Sequence, residues 1–264
     1  MKKKGIVFPF LAAAALMAFS CSRNKPDPWE LVWTEDFDGP EIDAGVWTRV
    51  GRGSSDWNDM MSLREDLAGI EDGALVLKGI VNDGKGADTT AFLTAGVQSR
   101  GKQSFRSAKF EIRAKFSSAR GFWPALWLMP DKELDWPDGG EIDIMEHLNH
   151  DSFVYQTLHS CYSKSVSEDD PPHGTTAPIS LSDYNVYGVE VFKDSVCFFT
   201  NGKKVLTYPR VEALAKDGEY PFADHPFYLI LSSQIQGEWV GNADPAEYPV
   251  EMRIDWVKVY RLRE

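Results

Sequence analysis

The strongest constraint on this 264-residue chain is a period of two. Segments such as 74-ALVLKGIV-81, 109-KFEIRAKF-116, 153-FVYQTLHS-160, 186-VYGVEVFKDSVCFFT-200 and 251-EMRIDWVKVY-260 alternate apolar with polar residues. Successive strand side chains point to opposite faces, so each segment can bury one face and wet the other. Asp72-Gly73, Asn201-Gly202 and Asp217-Gly218 mark turns between such runs, because these residue types tolerate positive φ. Helical periodicity is nearly absent, and 208-YPRVEALAKDG-218 allows one or two turns closed by Gly218. Many short strands with no helix to cover them must cover one another. The expected fold is all-β, a jelly-roll sandwich of two curved antiparallel sheets with a concave cleft, formed as one domain over residues 28–264.

The N-terminus reads differently. Lys2, Lys3 and Lys4 precede 5-GIVFPFLAAAALMAFS-20, which is too short for a stable membrane span and is flanked like an export signal. Cys21 follows at once and resembles a bacterial lipoprotein processing site, although Ala18 stands where an aliphatic residue is usual. The expectation is loss of residues 1–20, lipidation of Cys21, a tether over 21–27, and a periplasmic or cell-surface protein that meets the membrane only through its lipid. A plain secretory signal is the alternative. Cys161 and Cys197 lie in apolar, strand-like stretches and are expected as free buried thiols, although export would permit a disulfide. With 28 Lys and Arg against 40 Asp and Glu the formal charge is -12. No basic surface dominates to displace counterions from phosphates, which excludes nucleic acid as the partner and suits a neutral substrate.

The stretch 140-GEIDIMEHLNH-150 sets three acids, Glu141, Asp143 and Glu146, within six residues, the third out of step with the others. On a regular strand Glu141 and Asp143 share a face and Glu146 takes the opposite one. A β-bulge inserts one extra residue and flips every later side chain. A bulge around Ile144-Met145 would therefore return Glu146 to the acidic face, with Ile142 and one bulge-flanking apolar residue behind it in the core. Three adjacent carboxylates repel one another, so at least one should have a raised pKa, as a general acid requires.

The Glu-x-Asp-x-x-Glu of 141-EIDIME-146 resembles the catalytic strand of glycoside hydrolase family 16, in its bulged, laminarinase-like branch. The segments 121-GFWPALWLMP-130, 32-VWTEDFDG-39, 200-TNGKKV-205 and 254-IDWVKVY-260 extend the likeness over nearly the whole chain after the signal. The resemblance implies a retaining hydrolase that needs no cofactor, with Glu141 as nucleophile, Glu146 as acid/base and Asp143 between them sharing a proton with Glu141. Such carboxyl pairs lie roughly 5–5.5 Å apart. Trp123 and Trp127, four apart, share a strand face opposite Leu126 and Leu128. The resemblance assigns them to sugar stacking, and a core pair is the alternative. Trp136 and Trp239 are further stacking candidates, each equally readable as ordinary packing. Asn58 and His159 match family positions that hydrogen-bond sugar hydroxyls, and for His159 the other reading is a satisfied polar residue inside the sandwich. Family members often carry a structural calcium on the convex face, for which Asp36, Gly73 and Asp255 could supply oxygens. Local pairing of Asp255 is the alternative.

Two stretches bear on which glycan is cut. A laminarinase would be expected to show His-Tyr-Gly after the catalytic region and a Gly-Gly-x-Trp-Pro loop. Here His159 precedes Ser160, Cys161 and Tyr162, and 236-QGEWVGN-242 has Val240 in place of proline. Both look more like gut-bacterial lipoprotein members, some of which cut internal β-1,4-galactosyl links in mucin-type or poly-N-acetyllactosamine chains. A monomeric endo-β-galactosidase is the expectation, with endo-β-1,3-glucanase as the alternative and a non-catalytic glycan-binding lipoprotein as a third reading. The run 79-GIVNDGKG-86 nearly spells a phosphate loop but has Gly86 where Ser or Thr is needed, and so is a turn. His147 and His150, three apart on a strand, should face opposite ways and make no metal pair.

Overall fold

The computed structural model describes residues 28–167 and 169–263. The expected export signal, Cys21 and the expected tether lie outside the described residues. Two antiparallel sheets face each other. The outer sheet runs Lys203–Pro209, Ser195–Thr200, Asn185–Val191, Ala108–Phe116, Val250–Leu262, Ala74–Val81, Ala68–Glu71, with Trp29–Glu35 added to Val250–Leu262 and Phe92–Leu93 to Ala74–Val81. The inner sheet runs Gly174–Pro178, Phe153–His159, Glu141–Glu146, Phe122–Pro130, Phe227–Ile235, Gly96–Gln98, Thr48–Arg49, with Ser104–Phe105 beside Phe227–Ile235. The all-β sandwich expected from the period of two is the observed architecture.

The strands show why. Ala108–Phe116 alternates buried and half-buried residues without a break, placing Phe110, Ile112 and Ala114 in the core and Lys109, Glu111 and Arg113 outside. Phe227–Ile235 is buried at every position, because it is covered on both faces. Leu229 and Leu231 join the core between the sheets. Tyr228 and Ile230 instead form a second cluster with Trp127 and Ala125 on the far face of the inner sheet.

The turns follow their chemistry. Asp72-Gly73 and Asn201-Gly202 carry paired positive φ values, as two-residue hairpin turns demand. Glu212–Asp217 is a 3-10 helix closed by Gly218 in the left-handed region. Two expectations need correction. The run 186–200 is two strands, split by a turn at Phe192–Asp194. Cys161 does not lie in a strand but opens a short helix, Cys161–Ser165, where Ser160 and Ser163 cap each other's backbone N–H groups. It is half-buried, and its thiol donates to Asp138 Oδ1 at 3.0 Å. Cys197 is buried as expected, and both are free.

Candidate active site

The catalytic-strand geometry depends on one extra residue. On one side, Asp143 pairs with Trp127 and Met145 with Leu126. On the other, Asp143 pairs with Thr157 and Glu146 with Tyr155, three steps against two. Ile144 is the inserted residue, and the bulge lies where the parity of the acids required it. Ile142, Ile144 and Met145 are all fully buried in the core, so two bulge residues point inward where one was expected. Glu141, Asp143 and Glu146 emerge together on the outer face of the inner sheet, lining a cleft of about 1130 Å³.

Each acid has its own partner. Trp123 Nε1 donates to Glu146 Oε1 at 3.0 Å, and Trp136 Nε1 donates to Glu141 Oε2 at 2.5 Å. Asp143, only 2% exposed, lies between them. His159 Nε2 comes within 3.1 Å of its Oδ2, but off the N–H axis, so that oxygen has no hydrogen bond. Glu141, Asp143 and His159 each offer a polar atom within 4.8 Å of the others.

Burial raises all three carboxyl pKa values, since removal from water penalises the charged form. Glu141 is pushed up to about 8, with the charge of Asp143 adding to the effect of burial. Burial lifts Asp143 to about 7, opposed by its hydrogen bond with Glu141 and by the Lys164 cation. Glu146 stands well above the usual carboxylate range, from burial first and Asp143 second, with the Trp123 N–H pulling the other way. His159 is lowered, chiefly by burial, and is the neutral imidazole near pH 7. The three acids therefore cannot all be ionised at neutral pH.

The other predicted residues divide by environment. Trp123 is half-buried in the cleft wall, edge-on to Trp239, whose ring centroid is 5.6 Å away. Trp136 and Trp239 are 52% and 48% exposed and flank the acids from opposite ends, as open platforms should. Trp127 lines the cleft but is only 6% exposed. Its ring meets Trp57 edge-on at 4.9 Å and its indole N–H is taken by Ser232 Oγ, so it is cleft floor more than a free stacking face. Asn58 also lines the cleft, its side chain seated against Gly53, where a Cβ would come within 2.3 Å. Trp57, Gln98, Asp56, Tyr228, Gln234, Glu238, Lys164 and Arg100 also line the cleft. They arrive from separate strands and loops, and no local pattern marked them.

Asp36 follows the strand Trp29–Glu35 and Gly73 lies in the turn before Ala74–Val81, both exposed, while Asp255 sits in a bulge of Val250–Leu262 and its carboxylate is held by the Arg113 guanidinium. The Arg113 guanidinium already holds Asp255 Oδ2, so a cation at this carboxylate would have to compete with that ion pair. His147 is buried, with Nε2 at 2.7 Å from the Asp151 carbonyl, whereas His150 is exposed beside Glu247. Neither lies on a strand, because Glu141–Glu146 ends before both, so the strand-face argument does not apply, and the two bond to different partners.

The sequence model described as glycosyl hydrolases family 16 matches residues 75–258. The chain belongs to this family. Among family 16 relatives, the keratan-sulfate endo-1,4-beta-galactosidase of Sphingobacterium multivorum is 35% identical over 255 residues, covering 95% of this chain and 60% of that protein. The laminarinase catalytic domain of Thermotoga maritima superposes with a TM-score of 0.79 at 30% identity, covering 90% of this chain and 100% of that one. A human gut microbiota protein, reported with endo-acting O-glycanases that initiate mucin breakdown, gives a TM-score of 0.78 at 26% identity, covering 89% and 100%. This family 16 chain is thus a glycoside hydrolase with both galactosidase and glucanase kin.

Proposed function

We propose that this family 16 hydrolase is a retaining endo-enzyme that cleaves internal β-galactosyl linkages in galactose-containing glycans of mucin or poly-N-acetyllactosamine type. The observation that carries the chemistry is the Ile144 bulge, which gathers Glu141, Asp143 and Glu146 on one face. Glu141, as carboxylate, attacks the anomeric carbon while protonated Glu146 gives its proton to the leaving glycosidic oxygen. The covalent glycosyl-enzyme is then hydrolysed by a water that Glu146, now ionised, deprotonates. Asp143 shares one proton with Glu141, so the pair need not carry two charges in a buried site. As negative charge leaves Glu141 on attack, the proton can settle on Asp143. The Trp136 N–H holds the nucleophile in line.

The galactosyl reading is supported by the Sphingobacterium relative and by the departures at 159–162 and 236–242 from a laminarinase pattern. The endo-β-1,3-glucanase reading is favoured by the likeness to the Thermotoga laminarinase. Incubation with laminarin, mixed-linkage glucan, agarose, poly-N-acetyllactosamine and mucin O-glycans, with products read by mass spectrometry, separates them. Oligosaccharides with galactose reducing ends, from galactose-containing substrates alone, support the proposal; products from laminarin alone overturn it. The accompanying proposals are a monomer, exported and anchored through lipidated Cys21, tested by labelling with a fatty-acid analogue in wild type and Cys21→Ala. A calcium ion at Asp36, Gly73 and Asp255 would have to displace Arg113, and a thermal melt that calcium leaves unmoved rejects it.

A further inference from the structure

One polar side chain interrupts the apolar face of Phe153–His159. Val154 and Leu158 point into the core between the sheets, and Gln156, on the same face, is completely buried with them. Its amide is fully engaged there. Nε2 donates to the Ile144 carbonyl at 2.7 Å and to the Phe199 carbonyl at 3.3 Å. Oε1 accepts from the buried Thr200 hydroxyl at 3.1 Å. Ile144 is the inserted residue of the catalytic strand, and within Glu141–Glu146 it alone is paired with neither neighbouring strand. A bulge leaves its extra residue out of the ladder, and here the Gln156 amide takes up the carbonyl. Phe199 and Thr200 end Ser195–Thr200 of the outer sheet, just before the Asn201-Gly202 turn. One side chain thus ties the bulge of the catalytic strand to the opposite sheet.

We infer that Gln156 is a positioning residue for hydrolysis: its amide pins the extra residue of the bulge at Ile144 and so sets the aim of Glu146 relative to Glu141. Gln156 bonds the backbone of the catalytic strand, not either carboxyl. The extra residue has two places to sit, since Ile144 and Met145 are both apolar and both fully buried. Moving or removing it re-aims every side chain beyond. A donor directed at the Ile144 carbonyl favours one arrangement. An apolar residue at 156 favours neither, and withdraws from that carbonyl a donor that the core cannot replace. Retaining hydrolysis needs its two working carboxyls roughly 5–5.5 Å apart, and a misplacement of about 1 Å costs on the order of 10²-fold in rate. The inference rests on the reading of Glu141 and Glu146 as nucleophile and acid/base, and is independent of which glycan is cut.

The experiment measures kcat and KM separately, on whichever oligosaccharide the enzyme cuts and well below every Tm, for wild type, Gln156→Met, Gln156→Glu, Thr200→Val and Val154→Ala. Gln156→Met keeps the length of the side chain and removes the amide. Its kcat is expected to fall at least about tenfold with KM held within about twofold, because the cleft walls are untouched. Gln156→Glu, kept neutral by burial near pH 5, retains one O–H donor and the acceptor for Thr200, and should recover at least about threefold of that loss. Thr200→Val frees the amide oxygen and should lower kcat about threefold, again with KM held; it carries the test if the Gln156 variants do not fold. Val154→Ala is the control for a core lesion on the same strand face, expected to lower Tm and leave kcat within about twofold. A wild-type kcat in Gln156→Met, a loss matched by Val154→Ala, or no recovery in Gln156→Glu overturns the inference. Glu146→Ala separates the two readings. If it is inactive beside a fully active Gln156→Met, the positioning role alone fails; if it keeps wild-type activity, the acid/base assignment fails and takes the inference with it.

Discussion

Trp123 and Glu146, separated by 23 residues in the chain, are joined by an indole N–H that donates to the carboxylate at 3.0 Å. An N–H donor stabilises the ionised form, so it restrains a pKa that burial and Asp143 push upward. Trp123→Phe keeps a ring and deletes the donor. Glu146 then holds its proton more tightly, the alkaline limb of the pH profile of kcat/KM moves to higher pH, and the water-activation step slows by about threefold to tenfold. An unshifted alkaline limb would show that this bond does not tune the acid.

Gly121 packs against and bonds the loop that carries Trp239. Its φ is +76°, and a Cβ there would lie 2.4 Å from the Ala243 Cα, while its carbonyl accepts from Gln236 N at 2.8 Å. Gly121→Ala combines left-handed strain of about 1–2 kcal/mol with a backbone clash that only loop movement relieves. The expected result is a lower Tm together with a KM raised more than kcat is lowered, measured by thermal melt and steady-state kinetics. A variant with unchanged Tm and KM would mean that the loop is not held at this contact.

The acid cluster should cost the fold stability as pH rises. The folded-state pKa values of Glu141, Asp143 and Glu146 all lie above their usual values. Stability is therefore fully present below about pH 4, where unfolded carboxyls titrate, and is lost on the way up to the folded value of about 8 at Glu141. Tm should fall between pH 5 and pH 9 more steeply in wild type than in Glu141→Gln. At pH 8 the variant should melt higher, by about 2–4 °C for each kcal/mol of relieved burial and repulsion. Equal slopes would mean that the acids are not strained in the folded state.

Much of this was legible from sequence where the signal is local. Parity set Glu146 out of step with Glu141 and Asp143, and the resemblance to a bulged catalytic strand gave the reason to place a bulge between Asp143 and Glu146, since a shift of one residue flips a strand's faces. The shared face of Trp123 and Trp127 followed from the same rule. The burial of Trp127 was not legible, because Trp57 and Ser232, which cover it and bond it, come from distant segments. Lys164 was missed because a run read as strand turns helical once Ser160 and Ser163 cap each other, a four-residue signal too weak to outweigh its apolar neighbours. Asp255 carried an oxygen suited to a cation, but its partner Arg113 becomes apparent only when the two outer strands are in register.

The division of labour between Glu141 and Glu146 is tested most directly by azide rescue, on an aryl glycoside of whichever oligosaccharide the enzyme cuts. Glu141→Ala and Glu146→Ala should each lose at least about 10²–10⁴-fold of activity. With azide added, Glu146→Ala should yield the β-glycosyl azide, formed by attack on a covalent intermediate that Glu141 still makes. Glu141→Ala should yield the α-azide, formed by direct displacement from the face the nucleophile has vacated. An α-azide from Glu146→Ala, or rescue of neither variant, would contradict the assignment.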